Sequence, residues 1–229
     1  MYHKQDFARI LRDYFAQGTL RTYAKNDLVM AQHETPTDMF YIKSGAVRIY
    51  TNERGDEFTQ VIYAPGEVFP LYWLTQDRQQ SSICETLMPT ELLSMPLSQL
   101  DTDLATNIDL ATTMLRQTAE QYRIYAMRVA NLEYKYASQR LAYRLILLAN
   151  RFGKHDGREV IITLPMTHQL LATALNLSRE SVSREMEKLM QRQLVRYNES
   201  RRIVLTDIKA LSAQLRVPLV PSMSSTTEL

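Results

Sequence analysis

The segment from Thr167 to Arg192 holds the side chains whose types and spacing best suit chemistry with a partner molecule. On a helix with about 100° per residue, four of its polar residues share an arc of roughly 140°. These are Arg179, Glu180, Ser183 and Arg184, and Glu187 lies within the same arc. A guanidinium donates two hydrogen bonds to the O6/N7 edge of guanine, and a carboxylate accepts from the N4 amine of cytosine. The pattern therefore predicts a surface that contacts base-pair edges in a DNA major groove.

An ion pair is the alternative interpretation of two of these side chains. Glu180 would favour the positive end of the helix dipole, and it lies four residues before Arg184, the spacing at which opposite charges attract on a helix. The two interpretations are compatible, because such a pair would orient both side chains before DNA arrives. Both stay open at this point.

Two short helices joined by a tight turn are predicted to position these groups. Thr167 and Ser178 are placed to cap the amino-termini of the first and second helix. Asn176 between them predicts a turn, since Asn is the non-glycine residue that best tolerates positive φ. Val195–Tyr197 and Ile203–Leu205 flank a polar turn and predict a β-hairpin wing. The inner faces of the helices are apolar: Leu170, Leu171, Ala174, Val182, Met186 and Leu189.

Charge is distributed unevenly along the 229 residues. Residues 1–130 carry 12 Lys/Arg and 16 Asp/Glu, a balance of −4, whereas residues 131–216 carry 15 Lys/Arg and 8 Asp/Glu, a balance of +7. A basic carboxy-terminal part beside an acidic amino-terminal half favours a nucleic-acid-binding domain attached to a domain of another kind. Solvated basic faces are common, so the charge alone is weak support.

The amino-terminal half has the pattern of a small β domain. Asp6–Ala16 has the apolar spacing of an amphipathic helix, and the region from Thr19 to about Pro96 changes to short strands separated by turn residues. The strand-like runs are Phe40–Ile42, Ala46–Tyr50, Phe58–Tyr63, Ser82–Glu85 and Glu91–Met95. Strands of this length and spacing predict a sandwich or barrel. Cys84 falls in one of them and is expected to be a buried, small apolar residue.

A long helical region connects the two halves. Asp101 to Phe152 contains neither Gly nor Pro, and its apolar residues recur in steps of three and four. The seam consists of Leu115, Ala119, Tyr122, Ala126, Val129 and Leu132. A stripe this narrow favours a dimer helix, the alternative being a helix packed on the core of its own domain. Asn131–Tyr136 interrupts the seam and predicts a hinge, with another helix beginning at about Leu141. Arg151–Glu159 is read as a turn.

Composition excludes several classes of protein. A single cysteine forms no internal disulfide and holds neither a structural zinc ion nor an iron–sulfur cluster by itself. Neither a signal peptide nor a membrane-spanning run is visible, so we expect a cytoplasmic protein. The four histidines lack metal-ligand spacing, and common catalytic motifs are missing, so an enzyme is not expected. The tail Pro218–Leu229 is rich in Pro, Ser and Thr and is expected to be disordered.

The segment Ser178–Arg184 (SRESVSR) resembles the recognition helix of the Crp/Fnr family of bacterial transcription regulators. Met39–Tyr50 and Pro65–Phe69 resemble the cyclic-nucleotide-binding jelly roll of that family. The resemblance implies an α+β fold with an N-terminal cyclic-nucleotide-binding-like β jelly roll, a long dimerisation helix and a C-terminal winged helix-turn-helix. The corresponding domain limits are 1–106, 107–136 with the hinge, 137–217 and the tail 218–229.

The resemblance also implies a homodimer that binds a two-fold-symmetric operator. By position, Arg179, Glu180, Ser183 and Arg184 would read bases, and the expected half-site contains TGA. The phosphate contacts implied by the same positions are Thr167, His168, Gln169 and Ser178. A neutral His168 in a place where the family often has Arg would weaken the contact with the DNA backbone.

The effector pocket departs from the cAMP-binding members of the family. Pro70 replaces a Gly, Leu71 replaces the Glu that binds the ribose, and Gln80 stands where an Arg would meet the phosphate. Tyr125 replaces a small hydroxyl residue near the base. We therefore expect that cAMP is not the effector, and that the protein binds a more apolar ligand or needs none. The predicted pocket consists of Glu67, Leu71, Tyr72, Gln80, Ser81, Ser82 and Tyr125.

Other cofactors and partners are constrained by the same comparison. No cofactor is predicted. The single cysteine excludes the iron–sulfur cluster of the family's oxygen sensors, and a haem is not expected because His3 and His33 are isolated. The turn Lys154–Gly157 resembles the surface loop by which family members contact RNA polymerase. The alternative function, a ligand-binding regulatory module that acts on a protein partner, does not require the charged face around Arg179.

Overall fold

The structure, a computed structural model, describes residues 4–74 and 82–219. The chain divides into two compact units. The first comprises residues up to Tyr125 except Asp56–Thr59, and the second comprises Asp56–Thr59 and the residues from Ala126 onward. Within the described ranges no helix is long and apolar enough to cross a membrane.

The first unit is an antiparallel jelly roll preceded by helix α1 (Lys4–Phe15). One sheet has the order β1-β8-β3-β6 and the other has the order β2-β7-β4-β5. A 3-10 turn, Leu71–Leu74, follows β6. The strands are β1 (Thr19–Tyr23), β2 (Leu28–Met30), β3 (Asp38–Ser44), β4 (Val47–Glu53), β5 (Asp56–Tyr63), β6 (Val68–Phe69), β7 (Ser82–Thr86) and β8 (Thr90–Pro96). The predicted β domain is confirmed, and the five strand-like runs lie in strands except for Ala46, which precedes β4.

Strands β3 and β8 are buried on both faces over most of their length. In the β3–β8 pair, Met39 lies opposite Met95 and Ile42 opposite Leu92, and all four side chains are buried. Helix α1 closes one side, where the Phe15 ring stacks on Tyr41. Cys84 on β7 is fully buried, as expected from its strand-like neighbours.

Three helices occupy the region predicted as continuously helical: α2 (Leu97–Thr106), α3 (Ile108–Glu133) and α4 (Ala137–Phe152). Asn107 separates the first two and caps α3 by accepting a hydrogen bond from Leu110 N at 3.0 Å. The predicted hinge is partly wrong, because Asn131 and Leu132 are helical and only residues 134–136 lie between α3 and α4. The side-chain amide of Asn131 donates to the carbonyl of Arg140 at 3.1 Å, which ties the end of α3 to the start of α4.

The second unit is a winged helix-turn-helix domain built on α4. The elements after α4 are β9 (Gly153–Asp156), β10 (Glu159–Ile162), α5 (His168–Leu175), α6 (Arg179–Gln191), β11 (Val195–Tyr197), β12 (Ile203–Leu205) and α7 (Ile208–Leu215). Their sheet has the order β11-β12-β10-β9. The interpretation of residues 151–159 as a turn is wrong in part, because residues 153–156 pair with β10 and only the residues around Gly157 turn. Polar residues hid this edge strand from a pattern based on apolar alternation.

Helix α4 is buried on nearly all sides, including at two arginines. Arg144 is 7% exposed, and its Nε has no hydrogen-bond partner. Burial and the neighbouring positive charges of Arg151 and Arg128 lower the pKa of Arg144 to about 10. The guanidinium therefore remains charged at neutral pH in an environment that disfavours the charge.

Candidate nucleic-acid interface

The turn between α5 and α6 has the geometry that its sequence predicts. Thr167 Oγ1 accepts from Leu170 N at 3.0 Å, and Ser178 Oγ accepts from Ser181 N at 3.1 Å. Both hydroxyls therefore act as helix caps. Asn176 has φ = 53°, in the left-handed region that the tight turn requires. The two caps and the left-handed Asn176 thus form the turn between α5 and α6, as the sequence predicts.

Helix α6 separates a buried face from an exposed one. Val182, Met186 and Leu189 are at most 2% exposed. Arg179, Glu180 and Arg184 are exposed on the opposite side, near the amino-terminus of the helix. The apolar face fixes the rotation of α6, so the charged side chains project away from the domain core. Ser183 differs from the other three because it is half-buried.

Ser183 is half-buried because it bonds to a histidine on the first helix. His168 Nδ1 lies 2.7 Å from Ser183 Oγ, and His168 Nε2 lies 2.9 Å from the hydroxyl of Tyr197 on β11. The imidazole thereby joins the two helices and the wing. Two predicted DNA contacts, His168 and Ser183, are brought together and bond to each other. Sequence reasoning missed Tyr197, because no local pattern connects it to a residue 29 positions away.

The predicted ion pair within α6 is not formed in this structure. Within the described ranges Glu180 makes no ion pair, and Arg184 Nη2 lies 3.4 Å from Ser181 Oγ. The carboxylate of Glu180 and the guanidinium of Arg184 therefore remain available to a binding partner. Thr167, Gln169 and Ser178, predicted to contact phosphates, are exposed around the amino-termini of α5 and α6, where free N–H groups and the helix dipole favour anions.

The wing carries its own charged pair. Arg196 on β11 donates two hydrogen bonds to the carboxylate of Glu159 on β10. This contact holds the pKa of Glu159 below its usual range. The hairpin between β11 and β12 closes when the side chain of Asn198 accepts from Arg202 N at 2.8 Å. The wing is therefore a hydrogen-bonded hairpin beside α5 and α6.

An apolar stripe is exposed along α3. Ile108, Leu115, Tyr122 and Val129 recur every seven residues and are 78%, 70%, 75% and 57% exposed. Ala119 and Ala126 of the predicted seam are also exposed, whereas Leu132 is half-buried. The opposite side of the helix is buried at Met114 and Ile124. The predicted seam is thus a separate face from the one that packs on the chain's own core.

The described residues of the predicted effector pocket are buried or half-buried. Leu71 and Ser82 are buried, and Tyr72 and Tyr125 are half-buried. Glu67 Oε2 accepts from Ala64 N at 2.9 Å, so this carboxylate stabilises the turn before β6. Gln80 and Ser81 lie outside the described residues.

Burial raises the pKa of two phenols and a thiol in this region. Desolvation raises the pKa of Tyr63, Tyr72 and Cys84, and the neighbouring phenol of Tyr125 adds to the effect at both tyrosines. The surroundings are therefore of low polarity and disfavour negative charge. Across the described residues no group of His, Cys, Asp and Glu is placed to hold a metal ion.

Two comparisons with protein families match this architecture. A cyclic nucleotide-binding domain matches residues 20–107, and a Crp-like helix-turn-helix domain matches residues 139–214. The fold and the charged helix α6 thus define a DNA-binding transcription regulator with a cyclic-nucleotide-binding-type domain. The chain belongs to the Crp/Fnr family.

Individual relatives cover most of the chain. A global nitrogen regulator of Nostoc sp. is 26% identical over 183 residues, which is 77% of this chain and 80% of that protein. A CRP-like cAMP-activated global transcriptional regulator of Mycobacterium tuberculosis is 24% identical, with 85% and 87% covered. The solved structure of FixK2 from Bradyrhizobium japonicum superimposes with a TM-score of 0.75 at 23% identity, covering 86% of this chain and 96% of that one. At this level of identity, the match with FixK2 supports the fold alone.

Proposed function

We propose that this regulator acts as a homodimer that binds a palindromic operator with TGA-containing half-sites. The observation that carries the proposal is the placement of Arg179, Glu180 and Arg184 on the exposed face of α6, opposite a fully buried apolar face. A helix of this kind fits the major groove, where its amino-terminal side chains contact base edges.

The exposed seam on α3 supports the homodimer. Four large apolar side chains at a seven-residue spacing form the pattern of a two-helix contact. A second copy of the same helix supplies the same stripe, and a two-fold-symmetric contact then presents two copies of α6 to a two-fold-symmetric site.

The remaining DNA contacts are assigned by position. Thr167, Gln169 and Ser178 are proposed to bind backbone phosphates through the exposed amino-termini of α5 and α6. Because both ring nitrogens of His168 are engaged by Ser183 and Tyr197, we propose that His168 acts on the DNA mainly by positioning α6. Base reading at Ser183 then requires that its hydroxyl keep His168 as one partner and take a base as another.

We infer further that cAMP is not the effector. Leu71 is buried and has no group that could bond a ribose hydroxyl. The exposed hairpin Lys154–Gly157 is the proposed contact for RNA polymerase. We place the protein in the cytoplasm, propose no enzymatic activity, and retain the domain limits 1–106, 107–136, 137–217 and 218–229.

In vitro selection of bound sites from random DNA duplexes, with purified protein and no added ligand, tests the proposal. The expected result is a palindrome with two TGA-type half-sites, and the same selection with Arg179→Ala should lose preference at one base pair in each half. Recovery of a site without two-fold symmetry, or no enrichment from a folded dimer, would contradict the proposal. Calorimetry with cAMP tests the effector separately, and micromolar binding would overturn the inference that cAMP is excluded.

A further inference from the structure

The imidazole of His168 lies between two hydroxyls of different chemical character. Its Nε2 is 2.9 Å from the phenol oxygen of Tyr197, and its Nδ1 is 2.7 Å from Oγ of Ser183. Among the residues that the structure describes, neither hydroxyl has another hydrogen bond. The three groups therefore form a chain of hydrogen bonds that begins on the wing and ends on α6.

The two hydrogen bonds of a neutral imidazole have opposite directions, because the ring carries a single N–H. If Nε2 accepts from the phenol, Nδ1 carries the hydrogen and donates it to Ser183. If Nε2 donates instead, Nδ1 accepts the hydrogen of the Ser183 hydroxyl. The hydrogen bond made by one ring nitrogen decides which nitrogen is protonated, so the stronger of the two donors sets the direction of the whole chain.

Tyr197 is the stronger donor of the pair. The lone pairs of a phenol oxygen are delocalised into the ring, so a phenol donates a hydrogen bond better than the alcohol of Ser183 does, and accepts one less well. Burial raises the pKa of Tyr197, so the phenol keeps its hydrogen at neutral pH. Pairing of Tyr197 with Ile203 in the hairpin fixes the backbone from which the ring projects. Nε2 of His168 therefore accepts, and Nδ1 donates.

This direction decides which group Ser183 presents to a partner. Because Nδ1 donates to Oγ, the hydrogen of the Ser183 hydroxyl is not used by His168 and can be donated to DNA. In the major groove guanine, adenine and thymine present acceptors, at O6 and N7, at N7 and at O4, whereas cytosine presents the N4 amine, a donor. With the chain reversed, Ser183 would offer only lone pairs and would favour that amine.

We propose that Tyr197, acting through His168, holds the hydroxyl of Ser183 as a hydrogen-bond donor, which selects thymine or guanine over cytosine at one position of each half-site. Tyr197 is a positioning residue in this arrangement, because its effect on base choice requires no contact with DNA. The inference rests on the proposed function of α6 and names the specificity of one of its contacts.

Nitrogen NMR of the imidazoles tests the direction of the chain without DNA. At a pH where the ring is neutral, long-range proton–nitrogen correlation spectra of the nitrogen-labelled full-length protein distinguish the two tautomers. The His168 signals are those that disappear in His168→Gln, and they should shift in Tyr197→Phe. We expect the hydrogen on Nδ1. A hydrogen on Nε2, or an equal mixture of the two tautomers, would overturn the inference.

Base substitution in the selected operator tests the consequence for DNA recognition. Ser183→Ala identifies the base pair that Ser183 contacts, because preference is lost there, and the unchanged protein should prefer thymine or guanine at that position. Tyr197→Phe should reduce this preference over cytosine about fivefold, the effect of one hydrogen bond. Preference at the pair that depends on Arg179 should remain. Tyr136→Phe, at an exposed position, is the control and should keep every preference.

Three results of the DNA measurement would contradict the inference: cytosine preferred at the Ser183 position, no loss of preference in Ser183→Ala, or an equal loss at every base pair in Tyr197→Phe. The last result would show that Tyr197 only supports the fold of the wing. These failures leave a selected operator that depends on Arg179, so they do not touch the proposed function. A selection that yields no operator refutes the proposed function, and the NMR measurement still decides the direction of the chain.

Discussion

His168 Nδ1 lies 2.7 Å from Ser183 Oγ, so an imidazole on the first helix of the helix-turn-helix holds a hydroxyl on the second. The other ring nitrogen holds the hydroxyl of Tyr197 on the wing. In the neutral imidazole one nitrogen donates and the other accepts, and both hydroxyls are able to take either role. His168 thus links α5, α6 and the wing, the three elements that would approach DNA. The family resemblance had implied that His168 contacts a DNA phosphate.

Tyr197→Phe removes one hydroxyl from this link and leaves the ring. We expect the free energy of unfolding to fall by about 1 kcal/mol, the usual net contribution of one hydrogen bond. Affinity for the selected operator should fall as well, because the wing and α6 are less firmly held. Denaturant unfolding and fluorescence anisotropy measure the two effects. Tyr136→Phe, at an exposed position, is the control. If both variants lose the same stability and the same operator affinity, the hydrogen bond between His168 and Tyr197 contributes to neither.

Arg179→Ala tests the assignment of a base-reading side chain. We expect a loss of about 1–3 kcal/mol on the operator and a relaxed preference at one base pair of each half-site. Binding to random duplexes should change little. Arg192→Ala, at the exposed carboxy-terminal end of α6, is the matched control. An equal loss on operator and random DNA would show that Arg179 contacts only phosphate.

Tyr122→Glu tests the dimer seam on α3. The side chain is 75% exposed in the single chain, so the folded protomer should tolerate the change. In a two-fold contact, however, the substitution would bury two carboxylates near each other, and we expect dimer dissociation to increase by about 100-fold or more. Light scattering over a range of concentrations measures the change. Gln99→Glu, at an exposed position on α2, is the control for added charge, and a Tyr122→Glu protein that stays dimeric would rule out this seam.

Arg144→Met should stabilise the protein. Burial lowers the pKa of Arg144 to about 10, and the neighbouring charges of Arg151 and Arg128 add to the effect. Replacing buried ionic groups by well-packed apolar side chains is often neutral or stabilising by about 1–4 kcal/mol. Arg140→Met is the contrasting variant and should destabilise, because Arg140 Nε donates to Tyr134 O at 2.8 Å. Denaturant unfolding compares them. A marked loss of stability in Arg144→Met would mean that this guanidinium has a counter-charge in solution.

Cys84 should resist thiol reagents in the native state. Burial raises the pKa of its thiol, so the native protein holds little reactive thiolate. Because the folded pKa exceeds the ordinary value of about 8.5, this group's contribution to stability is complete below that pH and declines as pH rises above it. Absorbance with a disulfide reagent should show reaction only after unfolding in guanidinium. Rapid labelling of the folded protein would contradict the burial of Cys84.

The sequence by itself determined the elements whose signals are local. The caps at Thr167 and Ser178, the left-handed Asn176 and the buried face of α6 each depend on residues within one or two helical turns, so the helix-turn-helix was predictable nearly to the residue. Short strand-like runs separated by turn residues likewise located the β domain. The exposed stripe on α3 followed from its seven-residue repeat.

Only the tertiary structure decided which distant side chains meet. His168 bonds to Tyr197 because the wing folds back beside α5. Strand β9 was missed because a short polar edge strand depends on its partner β10 rather than on its own residues. Local hydrogen bonding and periodicity are encoded over a few residues, whereas these contacts depend on chain segments that become neighbours only when apolar surfaces are buried together.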